Sequence, residues 1–240
     1  MKKHKPGPRM NSPVARSLTV AALLSFNGGF VDTAGFLGLA GLFTAHVTGN
    51  FVTLGAALVH GSHGIVGKIL ALPEFILIIA LARLAGTVLR AHKLPAMQIL
   101  LGVKVAFLLA FFLLAVHYGP FPDANTPAAL LTGFAGVAAM AMQNAVQRVH
   151  LASLPPSTMM TGSTVQVTLD AVDLMTGAKP ETRPQVKTRF SRLALAICFF
   201  ALGCAVSAVM YVYAGFWCLA LSVVVGFAAS VIRIDEGAPT

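Results

Sequence analysis

Asp32, Glu74, Arg83, Lys104, Asp170 and Asp173 lie in or beside stretches that are otherwise apolar. An ionised side chain in hydrocarbon is costly unless paired or hydrated, so each is a candidate for handling a proton, an ion or a polar solute. Asp32 leads the set because Gly28, Gly29 and Gly35 around it admit close backbones and leave room for a cavity. A structural hydrogen bond from Asp32 to a nearby loop is the competing reading. His46 precedes Thr48-Gly49-Asn50 and titrates in a range suited to proton coupling, although a histidine in a packed loop often serves structure alone. Asp170 and Asp173 are three residues apart and share a helix face, where they could hold a cation or share a proton. A cation would need further oxygen ligands, and a solvated helix end beside the basic 179–192 stretch is the plainer reading. Glu74 and Arg83 are about 13 Å apart on a straight helix, too far to pair directly.

No HExxH, GxSxG, P-loop or dinucleotide fingerprint is present, so no catalytic residue, metal or cofactor is assigned. Cys198, Cys204 and Cys218 fall in apolar runs without CxxC spacing and read as packing residues.

The elements that must position these residues follow from composition. The chain is 57% hydrophobic and 10% charged, against roughly 25% charged in a soluble domain. Six stretches approach the 20 or so apolar residues that cross a bilayer: 17–39, 69–89, 97–118, 127–149, 193–213 and 215–232. The basic start, Lys2, Lys3, Lys5, Arg9 and Arg16, precedes a first run that contains Asn27 and Asp32 and no clear cleavage site, so it reads as a cytoplasmic tail before an uncleaved span. The net charge of +9 is explained by topology, since no nucleic-acid-binding module remains once the spans are removed.

Two further segments, 44–60 and 157–177, are apolar but short or rich in Thr, Ser, Gly, Gln and Asp. If both crossed, eight spans would place Arg90, Lys93 and Arg148 outside, against the usual bias. If both are re-entrant or broken, six spans keep those residues and the 179–192 stretch inside. The two segments resemble each other, Thr48-Gly49-Asn50-Phe51-Val52 against Thr161-Gly162-Ser163-Thr164-Val165, and Asp32 and Asn144 stand before them at matching places. With three crossings in each half, the halves would run in opposite directions as an inverted repeat. Thr48, Asn50, Thr161 and Ser163 suit helix breaks, where they can cap N-termini that favour anionic or carbonyl groups.

The stretch from Phe26-Asn27-Gly28-Gly29-Phe30-Val31-Asp32 to Thr48-Gly49-Asn50 resembles the N-terminal signature of the YoaK-like family of bacterial membrane proteins. Ala141-Met142-Gln143-Asn144-Ala145 with Leu154-Pro155-Pro156-Ser157-Thr158-Met159-Met160-Thr161-Gly162 is similar to its second signature. The resemblance implies a bacterial inner membrane and supplies no substrate or mechanism.

The expectation is an all-α polytopic transmembrane helix bundle: about six full spans, two re-entrant segments and an inverted internal repeat. A tail at 1–16, repeats at 17–118 and 125–233, and a C-terminal tail at 234–240 divide the chain, with both termini cytoplasmic. The expected role is a transporter or channel, not an enzyme, for a small anionic or zwitterionic solute. Asp32, His46, Thr48, Asn50, Asn144, Thr161 and Ser163 are expected to bind it, with Asp170, Asp173 and Glu74 as ion-coupling candidates. A sensor or assembly partner, and an intramembrane enzyme using paired aspartates, are the alternatives. The bilayer is the expected partner, nucleic acid is not, and homo-oligomerisation is left open.

Overall fold

The computed structural model describes residues 13–60, 64–177 and 179–232. The tails, residues 1–12 and 233–240, lie outside the described residues. Among the described residues the structure is helical, as hydrocarbon demands when every backbone N–H and C=O needs an internal partner. The elements are α1 (Pro13–Gly38), α2 (Gly49–His60), α3 (Ile65–Ala91), α4 (Ala96–Tyr118), α5 (Pro127–His150), α6 (Met160–Thr176), α7 (Arg183–Ala214), a 3₁₀ turn (Gly215–Cys218) and α8 (Leu219–Val231).

Among the described residues, five helical stretches are long and apolar enough to cross a membrane: Val14–Gly38, Ile65–Ala91, Ala96–Tyr118, Pro127–His150 and Arg183–Val231. The last contains both α7 and α8, divided at Gly215, whose φ of 54° ends α7. Large apolar side chains such as Ile76, Leu77, Leu84, Val209 and Val224 point outward, the reverse of a soluble core, which fits a multi-pass membrane protein.

Close contacts set the helix directions. On α1, Gly29 lies against Phe200 and Cys204 of α7, and Gly38 lies against Tyr211, so α1 and α7 run parallel. A Cβ at Gly29 would collide with the Phe200 carbonyl, and one at Gly203 with the Phe26 carbonyl, so the glycines let the two backbones touch. Ala82 and Arg83 line one small cavity with Ala145 and Val149, and Gly67 meets Leu130, so α3 and α5 are also parallel. By contrast, Leu24 bonds to Gln143 while Leu39, the residue after α1, packs on Gly133, which makes α1 antiparallel to α5. Likewise Leu108 packs on Gly226 and Gly119 on Phe216, so α4 is antiparallel to α8.

Neither short segment passes straight on from the helix before it. After α1, Ala40 and Gly41 adopt positive φ, and the chain turns back until the Ala45 amide reaches Asp32. That amide is six residues, about 9 Å, below the end of α1. Helix α2, 12 residues long, then leads to Gly64, which sits beside Ala40. In the second half, residues 151–159 return to the level of Asn144, and α6 lies along α7 with Asp170 held by Arg189.

Candidate functional site

Asp32 is nearly buried and organises the first loop. Its Oδ1 accepts from the Ala45 amide at 2.6 Å, the His46 amide at 3.3 Å and the Thr44 hydroxyl at 3.4 Å. Its Oδ2 lies 2.7 Å from His46 Nδ1, so that nitrogen is the donor. The imidazole packs edge-on against Phe200, with ring centres 5.5 Å apart, and faces the Thr158 backbone. Asp32 thus makes the structural bonds expected of it, and these hold His46 beside a cavity that Asp32 itself does not line.

The second loop uses neutral groups for the same task. Thr158 donates to Asn144 Oδ1 at 2.7 Å, and Gln143 Nε2 donates to the Ser157 hydroxyl at 2.9 Å and the Leu24 carbonyl at 2.8 Å. Gln147 Nε2 donates to the Leu151 and Pro155 carbonyls, both at 3.1 Å. These bonds satisfy loop carbonyls that no helix pairs. The loop also presses on α1: a Cβ at Gly28 would stand 2.7 Å from the Ser157 carbonyl oxygen.

Between α3, α5, α6 and α7 lies a cavity of about 1460 Å³. His46, Thr48 and Asn144 line it where the two loops approach each other, with Met159 and Ser163 from the start of α6. Leu72, Phe75 and Ile79 of α3 give it one apolar wall. Toward the ends where α3 and α5 finish and α7 begins, Arg83, Arg148, Arg189 and Arg192 line it, with Gln185 and Thr188.

Of the residues expected to bind solute, His46, Thr48, Asn144 and Ser163 line this cavity, and Asp32 stands directly behind His46. Asn50 does not line it. Its side chain clamps Phe43, accepting from the amide at 2.8 Å and donating to the carbonyl at 2.9 Å, and so closes the first loop. Thr161 is exposed away from the cavity. Nor do Thr161 and Ser163 cap α6: the N-cap is Met159, without a side-chain cap bond, and the Ser163 hydroxyl donates back to its carbonyl.

Asp170 and Asp173 do not form a joint site. Asp170 is buried and held by Arg189 through Nε at 2.9 Å and Nη2 at 2.5 Å, while Asp173 is exposed. No cluster of three metal-ligating side chains occurs among the described residues. Glu74 lies off the cavity face of α3, and its Oε2 is buried without a partner. Lys104 is fully buried in α4, its Nζ also unpartnered. The three cysteines are free.

Sequence reasoning about the site missed Thr158, Gln143 and Gln147, although polar residues at 143, 144 and 147 inside an apolar span were a readable signal. It also treated Arg148 and Arg192 only as markers of orientation, because nothing in their spacing tells a cavity wall from a membrane edge.

No curated protein and no solved structure matches this chain. A model of a protein family of unknown function, DUF1275, matches residues 20–232, which takes in both loops, Asp32, Asn144 and the whole cavity wall. The chain therefore belongs to the DUF1275 family of proteins of unknown function.

Proposed function

We propose that the protein is a small transporter or channel for an anionic or zwitterionic solute, set in a bacterial inner membrane with both termini cytoplasmic. It comprises six full crossings and two re-entrant segments arranged as an inverted repeat. Support for the inverted repeat comes from the helix directions: α1 opposes α5 and α4 opposes α8, while α3 lies along α5 and α7 along α1. Each helix thus runs opposite to its counterpart in the other half. Ala40 beside Gly64 supports re-entrance, because the chain returns after α2 to where α1 ended.

The observation that carries the functional reading is the cavity reaching His46 and Asn144, where one loop from each half meets the other. Broken segments meeting at depth around a polar chamber are the usual design of secondary transporters. Asp32 holds His46 in place, and its carboxylate provides a proton-accepting group next to the solute path. The test is flux. Protein reconstituted in liposomes is screened against sets of anionic, zwitterionic, cationic and neutral solutes, with and without a proton gradient. Flux that is lost in Asp32→Asn and kept in Arg16→Gln is expected. Absence of flux for every set, from protein shown to be folded and inserted, would overturn the reading.

A further inference from the structure

Four arginines line the cavity, and they are not equivalent. Arg189 is neutralised by Asp170. Among the described residues, Arg83, Arg148 and Arg192 have no carboxylate partner and no Asp or Glu lines the cavity wall. Three guanidinium groups without such a partner thus border one chamber with an apolar wall; Arg192 is half-buried there, and Arg83 and Arg148 are exposed.

The positive-inside bias accounts for basic residues at this end of the bundle. It does not account for which of them face inward. Lys187 is exposed on the same helix as Arg192 and does not line the cavity, whereas Arg192 is half-buried and does. A guanidinium presents a planar fork of donors matched to carboxylate, phosphate or sulfate oxygens. Thr188, Gln185 and Ser153 add neutral polar groups beside it, and Leu72, Phe75 and Ile79 face it with a surface suited to a carbon skeleton.

We propose that this cavity is an oxyanion site in which Arg83, Arg148 and Arg192 bind a ligand carrying a carboxylate, phosphate or sulfate group. The inference rests on the solute-handling reading above and narrows it from anionic or zwitterionic to anionic. The oxyanion has two sources, a free solute or a lipid headgroup.

The experiment uses the full chain in nanodiscs of zwitterionic phosphatidylcholine, at low salt, with inorganic phosphate and succinate as titrants read by calorimetry. A parallel arm adds phosphatidylglycerol and counts retained lipid by native mass spectrometry. Binding of either titrant that weakens about tenfold or more in Arg148→Gln and Arg192→Gln, and stays unchanged in Lys187→Gln, supports a free-solute site. Retained phosphatidylglycerol lost in the same arginine variants supports a lipid-headgroup site. Arg148→Lys and Arg192→Lys keep the charge and guard against misfolding; intermediate affinity is expected because lysine lacks the fork. If neither the titrants nor phosphatidylglycerol depends on the arginines, the proposal is overturned. Binding without flux would sink the transport reading and leave this site standing. Flux of neutral or cationic solutes without anion binding would do the reverse.

Discussion

Asp32 Oδ2 and His46 Nδ1 lie 2.7 Å apart across a separation of 14 residues, and Asn144 and Thr158 repeat that separation at the same 2.7 Å in the second half of the chain. In each half a polar residue in a long helix reaches the loop that follows and holds it alongside that helix. The halves differ in charge: one uses a carboxylate with an imidazole, the other an amide with a hydroxyl.

Replacing Asp32 with alanine leaves the Ala45 amide and the His46 ring without their acceptor. The expected loss of stability is about 2–3 kcal/mol, the scale for a hydrogen bond to a charged group with its partner left buried. Asp32→Asn should lose less, because an amide oxygen still accepts from Ala45. Thermal unfolding in detergent measures both; equal melting temperatures for wild type and Asp32→Ala would contradict the role given to this carboxylate.

Thr158→Val keeps the shape and removes the donor to Asn144. A loss of about 1 kcal/mol is expected, with Thr158→Ser close to wild type. Proteolysis can localise the effect, since cleavage between residues 151 and 159 should rise in the valine variant alone. Unchanged protection of that loop would mean that Asn144 does not anchor it.

At the contact of α1 and α7, Gly203→Ala adds a Cβ against the Phe26 carbonyl. Overpacking of this kind costs about 1–3 kcal/mol, and here the obstacle is backbone that cannot swing aside. The expected outcome is a lower yield of folded protein on size-exclusion chromatography. Gly55→Ala is the matched control, because that glycine has open space around it. Equal behaviour of the two variants would contradict the close backbone packing.

Orientation is tested by single cysteines in a cysteine-free background. Val66 and Asn125 are bonded to each other and so lie on one side; cysteines there should label from outside, and one at Glu181 from the cytoplasm. Labelling of all three positions from the cytoplasm would restore the eight-span alternative and end the inverted repeat.

Much of this architecture was legible in the sequence because lipid enforces length and apolarity on every span. Most of the expected spans lie within a single helix, and some helices extend further: α7 begins at Arg183, ten residues before its apolar stretch, because the basic turns beyond the hydrocarbon stay helical, whereas 215–232 is met only by a 3₁₀ turn and the 13-residue α8. Asp32 and Asn144 were legible as polar residues that an apolar helix has no other reason to hold. Their partners were harder to read. That Ala45 and His46 fold back onto Asp32 depends on the positive-φ turn at Ala40 and Gly41, and a non-glycine residue at φ 50° carries little local signal. The pairing of Asp170 with Arg189 was hidden because it joins two helices, whereas the Asp170 and Asp173 spacing suggested a pair on one.

The cavity beside His46 as the solute path is the central claim, and Thr48, exposed on its lining, is the place to test it. Thr48→Cys is introduced into the cysteine-free protein, reconstituted in liposomes, and the flux of the transported solute is measured before and after a membrane-impermeant thiol reagent is applied. The account predicts that labelling stops flux through Thr48→Cys protein and leaves the cysteine-free parent unaffected. Full labelling of residue 48 with flux unchanged would contradict it.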